Sequence, residues 1–103
     1  MRLSPKQIEI ILSTSHEVMG VDASVWLYGS RLDDGRRGGD VDLLIEAFAS
    51  HGLLCRARLK TRLEHRLQLP VDVLLAPRGK ADSAFVALAK MQAQPLMALA
   101  EQN

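Results

Sequence analysis

The chain reads as an α/β (α+β) fold, a small β-sheet with helices packed on it, and three observations lead there. Apolar residues recur at helical spacing in three segments, short apolar runs of strand length lie between them, and glycine or proline stands near each change of type. The resulting order of helix, strand, turn, strand, helix, strand, helix is that of helices layered on a sheet.

Each element has its own local reason. Ser4 precedes Pro5, with Gln7 three positions after Ser4, which predicts a hydroxyl cap followed by proline at the first helical position. Ile8, Ile11, Leu12 and Val18 or Met19 then recur on one helical face, and Gly20 can end the helix. Val25 to Tyr28 reads as a buried strand that stops at Gly29. The segment from Arg31 to Gly39 is polar and glycine-rich, with room for no more than a turn or two of helix, and Val41 to Ile45 reads as a second strand. Leu53, Leu54, Ala57, Leu59, Leu63 and Leu67 form an apolar helical stripe set among Arg56, Arg58, Lys60, Arg62 and Arg66. Pro70 marks the end of that helix, and Val71 to Leu75 is a third strand closed by Pro77. From Asp82 onward, Ala84, Phe85, Leu88, Ala89, Met91 and Gln92 predict a last helix, which Pro95 interrupts or kinks before a final apolar turn at Leu96 to Ala100.

Composition narrows the class. A chain of 103 residues, 48% hydrophobic and 24% charged, fits one domain spanning 1–103. A net charge of +1 gives no case for non-specific nucleic-acid binding, and nucleic acid is not expected as a partner. Cys55 is the single cysteine, so neither a disulfide framework nor a cysteine-based zinc site can form within one chain. No stretch is long and apolar enough to span a bilayer, and Lys6 and Glu9 interrupt the N-terminal apolar residues, so a cytoplasmic protein without a membrane partner is expected.

Three acidic residues stand among apolar neighbours. Asp40 and Asp42 enclose Val41, and strand alternation points both carboxylates the same way. Asp72 lies between Val71 and Val73, where an uncompensated charge is costly. If the two strands are neighbours, Asp72 joins the others on one face. Two carboxylates repel by roughly 4 kcal/mol at about 4 Å and an effective dielectric of about 20. Such a group makes poor packing but a good cage for a divalent cation, which takes carboxylate oxygens together with water and substrate phosphates. Gly29 and Ser30 end the first strand, where glycine lets a phosphate approach the backbone and amide and hydroxyl donate to it; Arg31 adds a cation for a triphosphate tail. Each piece alone has an ordinary explanation, a common turn at Gly29-Ser30 or a solvent-facing aspartate. The pieces together, in this order, point to phosphoryl or nucleotidyl transfer.

The run Leu27-Tyr28-Gly29-Ser30-Arg31, the run Gly38-Gly39-Asp40-Val41-Asp42-Leu43-Leu44-Ile45 and the run Pro70-Val71-Asp72-Val73-Leu74-Leu75 resemble the DNA polymerase-beta-like nucleotidyltransferase superfamily, and within it the minimal (MNT) type. The likeness covers roughly residues 24–76. It implies a small mixed sheet with helices packed on it. It also implies that Gly29 and Ser30, beside which Arg31 supplies the cation, bind nucleotide phosphates, and that Asp40, Asp42 and Asp72 hold Mg²⁺, two ions with Mn²⁺ as a substitute. Asp72 would also help deprotonate the attacking hydroxyl. The loop Asp33-Asp34-Gly35-Arg36-Arg37 departs from the tighter arginine-glycine pattern of relatives, so Arg36 and Arg37 receive no role. The acceptor-binding helical domain of larger relatives is missing. The resemblance therefore implies a HEPN-type helical partner protein, with the chain acting as antitoxin by moving AMP from ATP to a hydroxyl of that partner. The competing reading is a catalytically silent antitoxin that neutralises its partner by occlusion.

Other residues are set aside. His16, His51 and His65 lack metal-ligand spacing, while Cys55 and Trp26 fit a core. The basic helix from Arg56 to Arg66 reads first as a solvated face. The stretch Ala84 to Ala100 serves equally as a cover for the sheet or as a partner or self-association surface, which leaves a homo-oligomer open.

Overall fold

A computed structural model of the chain describes residues 3–29, 40–48, 53–79 and 81–96. Helix α1 (Pro5–Met19) starts where the cap was expected: Gln7 N–H donates to Ser4 Oγ at 3.1 Å, and Ser4 N–H donates to Gln7 Oε1 at 2.8 Å. This reciprocal pair satisfies two donors that the first helical turn otherwise leaves open. Gly20 ends the helix at φ 99°, its N–H donating to the His16 carbonyl. Strands β1 (Ser24–Tyr28) and β2 (Val41–Phe48) follow, then α2 (Leu53–Leu67), β3 (Val71–Arg78), α3 (Ala84–Gln92) and a short β4 (Gln94–Pro95).

The strands lie in the order β3-β2-β1-β4. β2 and β3 are parallel, joined by α2 as a crossover, whereas β1 pairs antiparallel with both β2 and β4. The fold is thus α+β with a mixed sheet, as expected. Val25, Leu27, Val41, Leu43, Ile45, Val71 and Val73 form one apolar face, packed with Ile8, Ile11 and Met19 of α1 and Leu59 and Leu63 of α2. Helix α3 packs on the opposite face, where Val86 meets Leu44 and Ala76, with Trp26, Tyr28 and Leu74 against them.

Two expectations change. Pro77 does not close β3, which continues to Arg78, and β2 likewise runs on to Phe48. The register explains why. Val41 N–H donates to the Pro70 carbonyl, so in a parallel ladder the even-numbered residues of β3 bond to β2 and the odd-numbered ones face the free edge. Pro77 therefore lacks its N–H on the side where no strand needs it. Pro95 does not kink a helix. It stands in β4 opposite Trp26, after α3 has ended at Gln92, and carries Leu96 into the main core. Met97 to Ala100, the rest of the expected apolar turn, lies outside the described residues.

The basic helix is also tied down more than a solvated face requires. Arg56 Nη1 donates to the Val73 carbonyl at 2.8 Å, Lys60 Nζ donates to the Val71 carbonyl, and Val71 N–H donates to Glu64 Oε2 at 2.9 Å. These are the outward groups of the β3 edge, so α2 caps an edge that would otherwise template pairing with another chain. Arg62 and Arg66 both reach Glu17 on α1, at 3.2 and 2.9 Å, and the hydrogen bond from Arg66 is the main reason the Glu17 carboxyl is held below its ordinary pKa. Arg58 is exposed, in keeping with the sequence reading. No helix among the described residues is long and apolar enough to cross a membrane.

Candidate active site

The sheet register brings the carboxylates of separate strands together. Tyr28 of β1 stands opposite Asp42 of β2, and Asp42 stands opposite Asp72 of β3. Residues in register on neighbouring strands project from the same face, so the three make a row across the sheet. Their face is the one turned away from α1 and α2, since Val41 and Leu43, the neighbours of Asp42, point into the main core. Asp72, between two buried valines, is itself exposed, whereas Asp42 in the middle strand is half-buried. Asp40 is exposed and sits one residue ahead of β2.

This placement has electrostatic consequences. Burial raises the pKa of Asp42 above its ordinary value, and the charges of Asp72 and then Asp40 raise it further. Burial likewise raises the Tyr28 phenol, reinforced by Asp42 and Asp72. The phenol thus stays protonated over a wide pH range and can donate a hydrogen bond. Among the described residues, no three His, Cys, Asp or Glu side chains converge into a closed metal cage. Asp40, Asp42 and Asp72 interact at range and form an open acidic edge.

Gly29 follows Tyr28 at φ 81°, a left-handed conformation that side chains rarely adopt. A methyl group there would also collide with the carboxylate of Asp42, meeting its Oδ2 and lying 3.1 Å from its Cγ. Glycine is therefore required at this point for two reasons, the turn and the seating of Asp42. Ser30 and Arg31, expected to hold phosphates with Gly29, lie outside the described residues, as do Arg36 and Arg37.

Tyr28 is the residue that the sequence reading counted only as strand. Its signal was its place as the last strand residue before Gly29, which an antiparallel return sets against the start of β2. Beside it, α3 is fastened to the sheet by one acidic residue. Glu46 accepts from Trp26 Nε1 at 3.1 Å and from Lys90 Nζ at 3.1 Å, and Lys90 also pairs with Asp82 at 3.0 Å. Ser83 caps α3 by accepting from Val86 N–H. Among the described residues, the carboxylate row thus occupies the open end of a face whose other end is roofed by α3.

No family model matches the sequence, and no curated protein matches it significantly. Solved structures do match the fold. One is the MNT antitoxin in complex with the tri-AMPylated HEPN toxin of Shewanella oneidensis, 17% identical with a TM-score of 0.68 over 90% of this chain and 71% of that one. The chain shares the fold of the MNT antitoxins. A toxin–antitoxin complex with AMP-PNP gives 18% identity and a TM-score of 0.70 over 91% of this chain and 73% of that one. The MntA–HpeT toxin–antitoxin pair, in a mutant carrying aspartate-to-glutamate substitutions, gives 17% and 0.69 over 91% and 72%. On the MNT fold, the row from Tyr28 to Asp72 lies on the face of the sheet that α1 and α2 leave uncovered.

Proposed function

We propose that the chain is an MNT-type nucleotidyltransferase that moves AMP from ATP to a hydroxyl of a HEPN-type helical partner, and so acts as an antitoxin. The observation that carries this reading is the in-register placement of Asp42 and Asp72, with Gly29 seated against Asp42. The fold shared with MNT antitoxins solved beside an AMPylated toxin and with AMP-PNP supports it.

The donor set fits a divalent cation. Asp42 and Asp72 offer hard oxygen ligands on one face, Asp40 stands near, and burial together with the charges of Asp72 and Asp40 opposes the charge of Asp42 until a cation is present. Asp40, Asp42 and Asp72 would hold Mg²⁺, or Mn²⁺ in its place, which when bound supplies charge neutralisation at the phosphates. Gly29, with Ser30 and Arg31, would orient the triphosphate. The partner's hydroxyl oxygen attacks the α-phosphorus, a new P–O bond forms, the bond to the β-phosphate bridging oxygen breaks, and pyrophosphate leaves. Asp72 is the candidate acceptor of the hydroxyl proton, because it is the exposed member of the row and can be reached by an incoming group.

The test is transfer of label. The chain, α-labelled ATP, Mg²⁺ and a HEPN-type partner should yield a labelled partner and free pyrophosphate, and Asp42→Asn should stop both. Lack of label with each of the four NTPs would sink the enzyme. Partner neutralisation that survives Asp42→Asn in cells would instead select the occlusion reading.

A further inference from the structure

We propose that the groove between Tyr28 and α3 is a nucleobase subsite, shaped for a purine whose edge is read by Gln92. This rests on the transferase reading and adds the part of the nucleotide to which that reading gives no partner. The groove encloses about 150 Å³ and is lined by Tyr28, Phe85, Leu88, Ala89 and Gln92.

Position is the first reason. Tyr28 belongs both to the groove and to the carboxylate row, directly opposite Asp42. Transfer holds the α-phosphorus at the carboxylates, and from there ribose and base can extend over the same face, which is open among the described residues. Among the described residues, α3 is the helix on that face, and its groove begins one side chain away.

Chemistry is the second. Tyr28 and Phe85 bring two aromatic side chains to the groove, a type on which any base can stack, and Leu88 and Ala89 add apolar lining. Gln92 is the polar side chain of the lining other than Tyr28, and its amide offers a donor and an acceptor in one plane, the complement of the adenine N6 and N7 edge. The volume suits one ring system and falls below the usual range for larger ligands.

The third reason is exposure without a packing explanation. Phe85 and Leu88 are 62% and 63% exposed, although α3 buries Val86 and Ala89 beneath them. Exposed large apolar side chains around a concavity mark a contact surface. The walls are also preformed, because Lys90 bridges Glu46 and Asp82 and holds α3 against the strands. A ligand therefore meets a fixed groove.

Calorimetric titration of the full chain in Mg²⁺ tests this with three probes: a non-hydrolysable ATP analogue, the corresponding CTP analogue, and inorganic tripolyphosphate, which has no base. The ATP analogue should bind at least about tenfold tighter than tripolyphosphate, with the CTP analogue between them. Phe85→Ala and Gln92→Leu, each confirmed as folded by its melting curve, should lower ATP-analogue affinity about tenfold and leave tripolyphosphate binding unchanged. Equal binding of ATP analogue and tripolyphosphate, or variants with undiminished ATP-analogue affinity, overturns the base subsite and leaves the transferase reading standing. Phe85→Ala that loses a HEPN-type partner while keeping the nucleotide overturns it too, and assigns the groove to that protein. Failure of wild type to bind either triphosphate overturns subsite and transferase together.

Discussion

The two faces of β2 do opposite work with alternate residues of one strand. Val41, Leu43, Ile45 and Ala47 point toward α1 and α2 and are buried to 5% exposure or less, whereas Asp42 and Glu46 point the other way and are half-buried. The packed face decides where the polar face stands. A slip of one residue would turn Asp42 into the core and its apolar neighbours into water, so the register is strongly specified. The alignment of Asp42 with Asp72 is therefore a product of packing by residues that never touch a substrate. Leu44 shows the limit of the contrast, since it lies on the Asp42 side and is nonetheless buried beneath α3.

Substitutions at adjacent positions break this division in opposite ways. Leu43→Ala, fully buried, should cost about 2–5 kcal/mol of stability in urea unfolding, while the folded fraction keeps its transfer rate. Asp42→Asn should lower transfer by about 10²–10³-fold and leave the fold intact. If Leu43→Ala lost activity in its folded fraction, the separation between faces would fail. Gly29→Ala tests the joint between them. A non-glycine residue at φ 81° is strained by about 1–3 kcal/mol, and its methyl would displace the Asp42 carboxylate. It should thus lose both stability, by thermal melting, and transfer beyond what the unfolded fraction accounts for.

Much of this was legible in the sequence, for definite physical reasons. The Ser4 cap, the strand cores around Val25, Val41 and Val71, and the helix ending before Pro70 follow from local rules that the final structure obeys. The pairing of Asp42 with Asp72 was legible only as a condition, that their strands be neighbours, because strand order is non-local information. Local rules failed at Pro77 and Pro95. Both prolines were read as breakers, yet both stand in edge strands, and no sequence window reports which strand will be an edge. Tyr28 and the groove at α3 were missed for the same reason. The groove joins Tyr28 to α3 residues more than fifty positions away, and the row joins it to Asp72 beyond the crossover helix, whereas the basic helix misled in the reverse direction, since a cation capping a distant strand edge looks, in sequence, like one facing water.

A smaller effect tests the quiet face alone. Ser15 is fully buried in α1, and its Oγ lacks a hydrogen-bond partner among the described residues. Ser15→Ala should therefore raise stability by about 1 kcal/mol, a melting shift of about 4–8 °C at this size. An equal or lower melting temperature would mean that the hydroxyl has a partner the core does supply.

The smallest and most discriminating effect concerns pH at the polar face without metal or nucleotide. The folded pKa of Asp42 lies above its ordinary value of 3.8, so within the interval between them the folded chain holds more protons than the unfolded one. Stability from this group must then fall as pH rises through that interval, and above the folded pKa the whole penalty remains. Asp42→Asn removes a charge that only function requires. The variant should melt higher than wild type at neutral pH, and the difference should shrink as acid protonates Asp42 in the wild type. Groups remote from Asp42, Glu17 among them, titrate in both proteins and cancel in the difference. Mg²⁺ with an ATP analogue should reverse the order, stabilising wild type and leaving the variant nearly unmoved. A wild type more stable than the variant at neutral pH, with neither ligand present, would show that the carboxylate is compensated within the chain itself, and Asp42 would then be a structural residue.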